Sequence, residues 1–329
     1  MIFAMVFAFA SCTPHKPPAD PDPSAIYPIV VTDQAGRTVT IEKEPQKLVS
    51  SYYITTSLLI ALDLQDKLVG IENQAYKRPI YSLSAPAFLD LPSVGTVKEF
   101  DVEGCLALKP DLVILPLKLK STAEKLALFG IDAIVVNPEN QILLKEMITL
   151  VGKATNTQEK ANDLIEFIST QTNSLYSLVS NLAKPTVYLA GNSNLLSTAG
   201  SLMYQSEMIS LAGATNVASA IDDTYWAEIS YEQLLVWNPE YIIIASDANY
   251  TADDVLNNLN LANCSAVQNG RVYKMPSTAE AWDSPVPGCI LGSVWLASVI
   301  HPDVYNNNIT IEIIDNYYET FYDFKYSEK

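Results

Sequence analysis

A short block of sequence occurs twice, and this repeat limits the fold more than any other feature of the chain. Residues 103–115 and 232–244 each place a glutamate seven residues before a proline, with an apolar helical stretch between them and a hydrophobic strand after them. Asp101 and Ser230 precede the two copies as plausible helix N-caps. We therefore expect two lobes built on the same plan, each containing one copy.

A long helical pattern separates the two copies. From Ala161 to Leu182, apolar residues recur at intervals of three and four, which is helical spacing. Thr155 and Gln158 form a plausible capping box before this stretch, and Lys184–Pro185 ends it. The pattern predicts a helix over 155–184 of about 40 Å, at ~1.5 Å per residue. Such a helix can join two lobes as a stiff connection, or it can belong to a single domain.

Both halves of the chain alternate hydrophobic strands with helical stretches. Continuous apolar strands of this kind are typical of parallel sheets covered on both faces. The sequence therefore predicts an α/β fold of two Rossmann-like lobes with parallel sheets bridged by one long α-helix. The expected boundaries are an N-terminal lobe at 29–154, the bridging helix at 155–184 and a C-terminal lobe at 185–329, with a β-hairpin at 29–41.

The amino terminus resembles a bacterial lipoprotein signal. A short apolar run, Ile2–Ala10, ends in small residues just before Cys12, which predicts a signal peptide at 1–12 and a lipidated Cys12. Phe9 stands where the pattern usually has leucine, and no basic residue precedes the run; a buried strand or helix is the alternative. Residues 13–28 are proline-rich and predict a linker. We expect an exported protein anchored to the cell envelope, periplasmic or on the outer face of the cytoplasmic membrane.

Charge and composition exclude several classes of function. The formal charge of −17 argues against binding nucleic acid, whose phosphates the chain would repel. Two histidines are too few for a multi-histidine metal site, so no metal site is predicted. The sequence has no GxSxG, Walker or GxGxxG motif, so an α/β enzyme is the less favoured class. Cys105 is expected to be buried, whereas Cys264 and Cys289 could form a disulfide or remain free thiols.

Several segments together resemble the helical-spine, class III substrate-binding proteins of ABC importers, which deliver iron–siderophores, haem or vitamin B12. The resemblance extends from about residue 29 onward and rests on residues 47–50, 94–96, 103–115, 230–233 and 266–273. It implies a ligand held between two lobes, no cofactor, and one glutamate per lobe docking onto arginines of the membrane permease. Glu103 and Glu232 match those positions, although an acid there also complements a helix dipole. We expect a monomer.

The resemblance also implies a set of ligand-binding residues on loops that follow strands. Aromatic planes among them suit a large planar macrocycle or a catecholate. Some relatives carry an arginine shortly after the position of Trp282; this chain does not, and Lys77 and Arg78 could substitute for it. The implied contacts are Ser51, Tyr52, Tyr53, Thr96, Tyr225, Trp226, Trp282 and Asp283.

The expected ligand is an iron complex (a siderophore or haem) or cobalamin, with an oxyanion as the alternative, and the sequence does not identify which. Haem would need an axial ligand such as Tyr52, Tyr53 or Tyr225. An oxyanion could bind loop amides and hydroxyls at helix starts. A stand-alone surface binder would share the cleft but would have no need of two matched glutamates.

Overall fold

The computed structural model describes residues 26–329, so the predicted signal peptide, Cys12 and most of the predicted linker lie outside the described residues. The strands are β1 (Ile29–Thr32), β2 (Thr38–Ile41), β3 (Leu48–Ser50), β4 (Leu68–Gly70), β5 (Leu112–Pro116), β6 (Asp132–Val136), β7 (Thr186–Ala190), β8 (Ser197–Ala199), β9 (Thr215–Asn216), β10 (Trp226–Glu228), β11 (Tyr241–Ile244) and β12 (Val272–Lys274). The α-helices are α1 (Tyr53–Ala61), α2 (Pro79–Ser84), α3 (Val102–Ala107), α4 (Lys120–Leu128), α5 (Gln141–Thr155), α6 (Gln158–Val179), α7 (Tyr204–Leu211), α8 (Tyr231–Trp237), α9 (Ala252–Leu256), α10 (Ser265–Gln268), α11 (Ile290–Ile300) and α12 (Asn307–Tyr322).

Each half of the chain forms a four-stranded sheet. The first has the strand order β4-β3-β5-β6 and the second β12-β11-β7-β9. All neighbours within both sheets run parallel. The predicted hairpin forms as β1 and β2, and β8 pairs with β10 in a second antiparallel ribbon. The predicted fold class, two α/β lobes with parallel sheets, is confirmed.

One hydrophobic core runs through both lobes. Because side chains alternate along a strand, Leu112 and Ile114 in the first sheet face this shared core, as do Val187 and Leu189 in the second. The intervening residues, such as Val113, face separate cores on the outer side of each sheet. The lobes are therefore joined by continuous packing and not only by the polypeptide.

The bridging helix is shorter than the sequence predicts. The predicted helix at 155–184 is observed as α6 over Gln158–Val179, about 33 Å long at ~1.5 Å per residue. Thr155 is not its cap: it ends α5, and its hydroxyl bonds the Val151 carbonyl. Asn156 adopts the left-handed conformation, with φ at 61°, and this breaks the helical path between α5 and α6.

Close contacts tie the two ends of α6 to different lobes. A Cβ added at Gly152 of α5 would lie 2.5 Å from the Ala161 Cβ of α6, so the two helices meet where only glycine fits. At the other end, Val179 packs against Gly213 of the second lobe, which has φ at 80°. Residues between these ends pack on α12, where the Phe167 and Tyr317 rings are 5.3 Å apart. The helix thus spans from one lobe to the other.

The sequence repeat is a structural repeat. The Asp101 side chain accepts from the Gly104 amide and the Ser230 side chain from the Gln233 amide, so both predicted N-caps form. Residues 102–110 and 231–239 show the same order of exposed, half-buried and buried positions. Each helix also ends at a left-handed residue directly before the proline, Lys109 in one copy and Asn238 in the other.

Cys264 and Cys289 are both free and buried, as is Cys105. Cys264 packs in the outer core of the second lobe, whereas Cys289 belongs to the core shared by both lobes. Burial raises the pKa of the Cys289 thiol to about 12. The alternative left open by the sequence is thus resolved in favour of free thiols.

Candidate ligand-binding cleft

Loops that follow strands of the two sheets meet between the lobes. Arg78, after β4, pairs with Asp247, after β11, and the Ile80 amide donates to the Ala279 carbonyl at 3.0 Å, after β12. Ligands of open α/β sheets bind outside the carboxyl ends of the strands. A small pocket lies at this meeting place. Its polar lining comes from both lobes: Tyr53, Ser57, Lys77, Arg78 and Tyr81 from the first, and Asp247, Ser277 and Glu280 from the second.

Arg78 is fixed in the pocket by the backbone before it and by an aromatic ring beneath it. Gln74 has φ at 66° and turns the chain into a short 3-10 segment, after which Arg78 is the N-cap of α2. Pro79 occupies the first helical position, where its missing N–H costs no hydrogen bond. The guanidinium carbon lies 3.9 Å from the centroid of the Tyr53 ring. The cation therefore lies over an aromatic face.

Asp247 faces this cation from the other lobe. Its Oδ2 is 3.6 Å from Arg78 Nη1, and both side chains are partly exposed, at 49% and 31% respectively. The preceding residue, Ser246, donates its amide and its hydroxyl to the Asp283 carboxylate. Asp283 thereby anchors the loop that carries Asp247.

Glu280 brings a buried carboxyl to the pocket. It accepts a hydrogen bond from the Ser57 hydroxyl of α1 and another from the Tyr318 hydroxyl of α12, at 3.3 Å for the latter. Burial raises the pKa of Glu280 to about 7. Near neutral pH a large fraction of this carboxyl is therefore uncharged, and it opposes a bound anion less than an ordinary glutamate would.

The first-lobe residues predicted as contacts are placed differently from one another. Tyr53 lines the pocket, and burial raises its pKa, so the phenol is neutral. Tyr52 packs edge-on against Tyr53, with the ring centroids 5.4 Å apart.

Ser51 is buried, and its amide bonds the Ile114 carbonyl. The Thr96 hydroxyl accepts from the Lys98 and Glu99 amides and so serves its own turn. Tyr53 is thus the only one of these four that the structure brings into the pocket.

The aromatic pair predicted in the second lobe is exposed. Tyr225 is 51% exposed and Trp226 is 39% exposed. A Cβ at Gly191, directly after β7, would lie 2.9 Å from the Trp226 ring. The ring therefore lies near the carboxyl end of β7, on the same edge of the sheet as Asp247.

Trp282 and Asp283 have internal partners instead. Trp282 is 1% exposed, its Nε1 donates to the Tyr318 hydroxyl at 2.9 Å, and its ring packs on Tyr326. Asp283 is buried in its bond to Ser246, and burial raises its pKa. In this arrangement both residues support the cleft loops without presenting a surface to a ligand.

The pocket also contains residues that the sequence analysis did not select. Asp247 and Glu280 were not considered, and Lys77 and Arg78 were noted only as possible substitutes with no placement. One signal was available for Arg78: the Lys77–Arg78 pair follows the apolar run 68–71, whose pattern is that of a strand, so it belongs to the carboxyl edge where ligands bind. Asp247 likewise follows the strand predicted at the end of the second repeat, but the sequence does not show that it faces Arg78.

Glu103 and Glu232 are exposed residues in the first turns of α3 and α8. Each helix runs directly into the following strand, β5 or β11, so its first turn lies near the carboxyl end of that strand. Both glutamates are therefore on the cleft side of their sheets. A hydrogen bond to Ser230 lowers the pKa of Glu232, which keeps this carboxylate charged.

Comparison with known proteins identifies the family. A family model described as periplasmic binding protein matches residues 48–279. The chain belongs to the periplasmic binding proteins. Molybdate-binding protein MolA of Haemophilus influenzae is 26% identical to this periplasmic binding protein, covering 91% of this chain and 92% of MolA. The structure of MolA bound to molybdate, described as the cognate binding protein of an ABC transporter, superimposes with a TM-score of 0.80 at 24% identity over 91% and 99% of the two chains.

Two further relatives extend the comparison. The uncharacterized ABC transporter substrate-binding lipoprotein YvrC of Bacillus subtilis is 26% identical over 85% of this chain and 88% of its own. A vitamin B12-binding protein of Photorhabdus laumondii is 25% identical over 61% of this chain and 71% of its own. The predicted class, a class III binding protein of ABC transporters and not an enzyme, is confirmed.

Residues 26–329 contain no cluster of three or more His, Cys, Asp or Glu side chains arranged to hold a metal ion. In the same range, every helix is too short or too polar to cross a membrane.

Proposed function

We propose that this periplasmic binding protein captures a compact anion, of the oxyanion class, in the cleft beside Arg78 and hands it to an ABC permease. The observation that supports this most directly is the placement of Lys77 and Arg78 in the interlobe pocket. Arginine offers paired N–H donors that match oxyanion geometry. Burial raises the pKa of the neighbouring Glu280 carboxyl to about 7, so near neutral pH it repels an anion less than a fully ionised glutamate would.

The size of the pocket agrees with a small ligand. Its cavity volume is only about 20 Å³, far below the roughly 300–1,000 Å³ of pockets that hold larger ligands. Haem and cobalamin exceed this space, so either would require the lobes to part. A tetrahedral oxyanion would need a much smaller opening of the cleft, and the similarity to a molybdate-binding protein points the same way.

Calorimetric titration of the full-length protein with molybdate, tungstate and sulfate tests the proposal. Arg78→Gln should weaken binding at least tenfold, because charge-assisted hydrogen bonds are lost. Arg271→Gln is a matched control: Arg271 also lies over a tyrosine ring, that of Tyr241 at 5.1 Å, but directly before β12 and thus at the opposite edge of the sheet. Equal affinity of Arg78→Gln and the unmodified protein for every anion would contradict the proposal.

A metal chelate is the second candidate ligand, supported by the exposed rings of Tyr225 and Trp226. Exposed aromatic faces on the cleft side of a lobe suit a siderophore, haem or cobalamin. Absorbance titration with haemin, cyanocobalamin and a ferric catecholate separates the candidates. Trp226→Ala should weaken binding of a planar chelate and leave binding of molybdate unchanged.

We further propose that Glu103 and Glu232 dock onto basic sockets of the permease. Their matched positions in the structural repeat support this, since a dipole effect would not require both lobes to keep the acid. Transport into proteoliposomes containing the permease should fall with Glu103→Ala and Glu232→Ala while ligand binding is retained. Glu159→Ala is the control, because Glu159 is also exposed in the first turn of a helix, α6. Full transport by both docking variants would contradict the idea.

Export and anchoring through a lipidated Cys12 complete the proposal. The sequence pattern before Cys12 and the similarity to a protein named as a lipoprotein support it. Intact-mass measurement of the protein from a bacterial host should show a diacylglyceryl adduct that Cys12→Ser lacks. A mature protein without lipid would contradict the anchor. Separately, the elution volume of the purified protein on gel filtration tests the expected monomer.

A further inference from the structure

We infer that Asp247 is an internal counter-anion for Arg78, which neutralises the guanidinium while the cleft is empty and is displaced by the arriving ligand. This inference rests on the proposed anion site. It assigns to Asp247 a negative effect on affinity, because the carboxylate competes with the ligand for Arg78.

The first argument is the position of the ion pair. Arg78 belongs to the first lobe and Asp247 to the second, and they meet inside the pocket lining with Nη1 and Oδ2 3.6 Å apart. The Tyr53 ring covers one face of the guanidinium at 3.9 Å. The carboxylate thus approaches the cation from the cleft side, which is where an incoming anion must bind.

The second argument is the weakness of the pair. Both side chains are partly exposed, at 31% and 49%, and ion pairs with this exposure contribute little to stability. No second ion pair of Asp247 occurs among residues 26–329. A ligand anion with two or more oxygens can offer bidentate contacts to arginine, which are stronger than one contact at 3.6 Å. The exchange of Asp247 for the ligand is therefore favourable.

The third argument is that the carboxylate cannot withdraw far. Asp283 holds the adjacent Ser246 through its amide at 3.0 Å and through its hydroxyl. The Lys274 ammonium bonds the Ala248 carbonyl on the other side at 2.6 Å. The loop is thus fixed on both sides of Asp247, so the displaced carboxylate stays near the cleft and continues to repel the bound anion.

The inference predicts that removal of the carboxylate strengthens binding. In calorimetric titration with molybdate at low ionic strength, full-length Asp247→Asn should bind about threefold tighter than the unmodified protein, the factor expected for an exposed ion pair. The gain should disappear in 1 M salt, where the Debye length falls to about 3 Å. Asp247→Glu keeps the charge and should bind as the unmodified protein does.

A control separates this local effect from net charge. Asp303→Asn changes the total charge equally, but Asp303 lies in a surface pocket with Pro185, at the edge of the second lobe where β7 begins. Its affinity for molybdate should be unchanged. A gain equal to that of Asp247→Asn would mean that only the overall charge matters, and the inference would be wrong.

The remaining outcomes are also decisive. Equal or weaker binding by Asp247→Asn, with Arg78→Gln still impaired, overturns the counter-anion and leaves the anion site intact. If Asp247→Asn binds an anion and the unmodified protein does not, the result supports strong competition by the Asp247 carboxylate. If neither the unmodified protein nor Asp247→Asn binds molybdate, tungstate or sulfate, the proposed function is wrong and so is this inference.

Discussion

The Ser57 hydroxyl of α1 donates a hydrogen bond to the buried carboxyl of Glu280, joining the two lobes at the base of the cleft. Ser57 also contacts the Tyr322 hydroxyl at 2.9 Å, and Tyr318 donates to Glu280 from the same helix, α12. The carboxyl is thus enclosed by hydroxyl groups of both lobes. Its ionisation should influence how firmly the lobes are held together.

Stability should depend on pH through Glu280. Burial raises its pKa from 4.5 to about 7, so between these values the folded chain keeps a proton that the unfolded chain has lost. The contribution of this group to the free energy of unfolding is complete below about pH 4.5 and is lost as the pH rises through about 7. Glu280→Gln cannot ionise, so relative to the unmodified protein its stability should rise between pH 5 and 8, by at most about 3 kcal/mol.

Urea unfolding at several pH values measures this difference. Glu159→Gln, at an exposed carboxylate, is the control and should show no such trend. Glu72 and Asp283, whose pKa values are also raised by burial, are present in both proteins and cancel in the comparison. Parallel pH profiles for Glu280→Gln and the unmodified protein would exclude the effect.

The Tyr53 ring should contribute to anion affinity by supporting Arg78. Tyr53→Leu removes the aromatic face that lies 3.9 Å from the guanidinium, and the affinity for molybdate should fall about two- to fivefold, as expected for a partly exposed cation–π contact. Tyr53→Phe keeps the ring and should bind nearly as well as the unmodified protein. If Tyr53→Phe is as impaired as Tyr53→Leu, the hydroxyl and not the ring is the important group.

The N-cap of the first repeated helix should stabilise the first lobe. Asp101→Ala removes the acceptor for the Gly104 amide and should lower the free energy of unfolding by about 1 kcal/mol, measured in urea. Asp101→Asn retains an acceptor and should cost much less. Equal losses for the two variants would show that the charge of Asp101, not its capping bond, is what stabilises the helix.

The contact between α5 and α6 should tolerate only glycine at position 152. Gly152→Ala places a Cβ 2.5 Å from that of Ala161, and we expect a loss of roughly 1–3 kcal/mol in urea unfolding. The double variant Gly152→Ala/Ala161→Gly moves the methyl group to the other helix and should recover part of the loss. If the double variant loses more free energy of unfolding than the two single variants added together, this contact does not limit how closely the two helices pack.

The continuous core predicts small lobe motions. Ile114 of the first sheet and Val187 of the second belong to one buried cluster, so wide opening would expose apolar surface at a high cost. X-ray scattering of the free and the molybdate-saturated protein should give nearly equal radii of gyration. A large contraction on binding would show that the lobes separate despite this packing.

Local signals in the sequence were sufficient for most of the fold. Apolar runs such as 112–115 and 241–244 became central strands of two parallel sheets, and the caps at Asp101 and Ser230 formed as expected. The start of the bridging helix was predicted wrongly because helical spacing continues through Thr155. The left-handed turn at Asn156, which separates two helices, leaves no mark on that spacing.

The candidate site was harder to predict from the sequence than the fold was. Tyr53 was selected and lines the pocket, yet Trp282, chosen for the same reason, is buried against Tyr326. An aromatic residue after a strand can face a cleft or fill a core, and its neighbours along the chain do not distinguish the two. The cation of the cleft, Arg78, was noted without a location because its partner lies in the other lobe.

The sequence by itself determined the two-lobed plan, since a repeated pattern of caps, apolar residues and prolines acts through contacts within a few residues. Only the tertiary structure decided the chemistry of the cleft. Arg78 and Asp247 meet, and burial raises the pKa of Glu280, because strands far apart in the chain direct their carboxyl ends to one place. Charge pairing and desolvation depend on that distance in space, which no local pattern encodes.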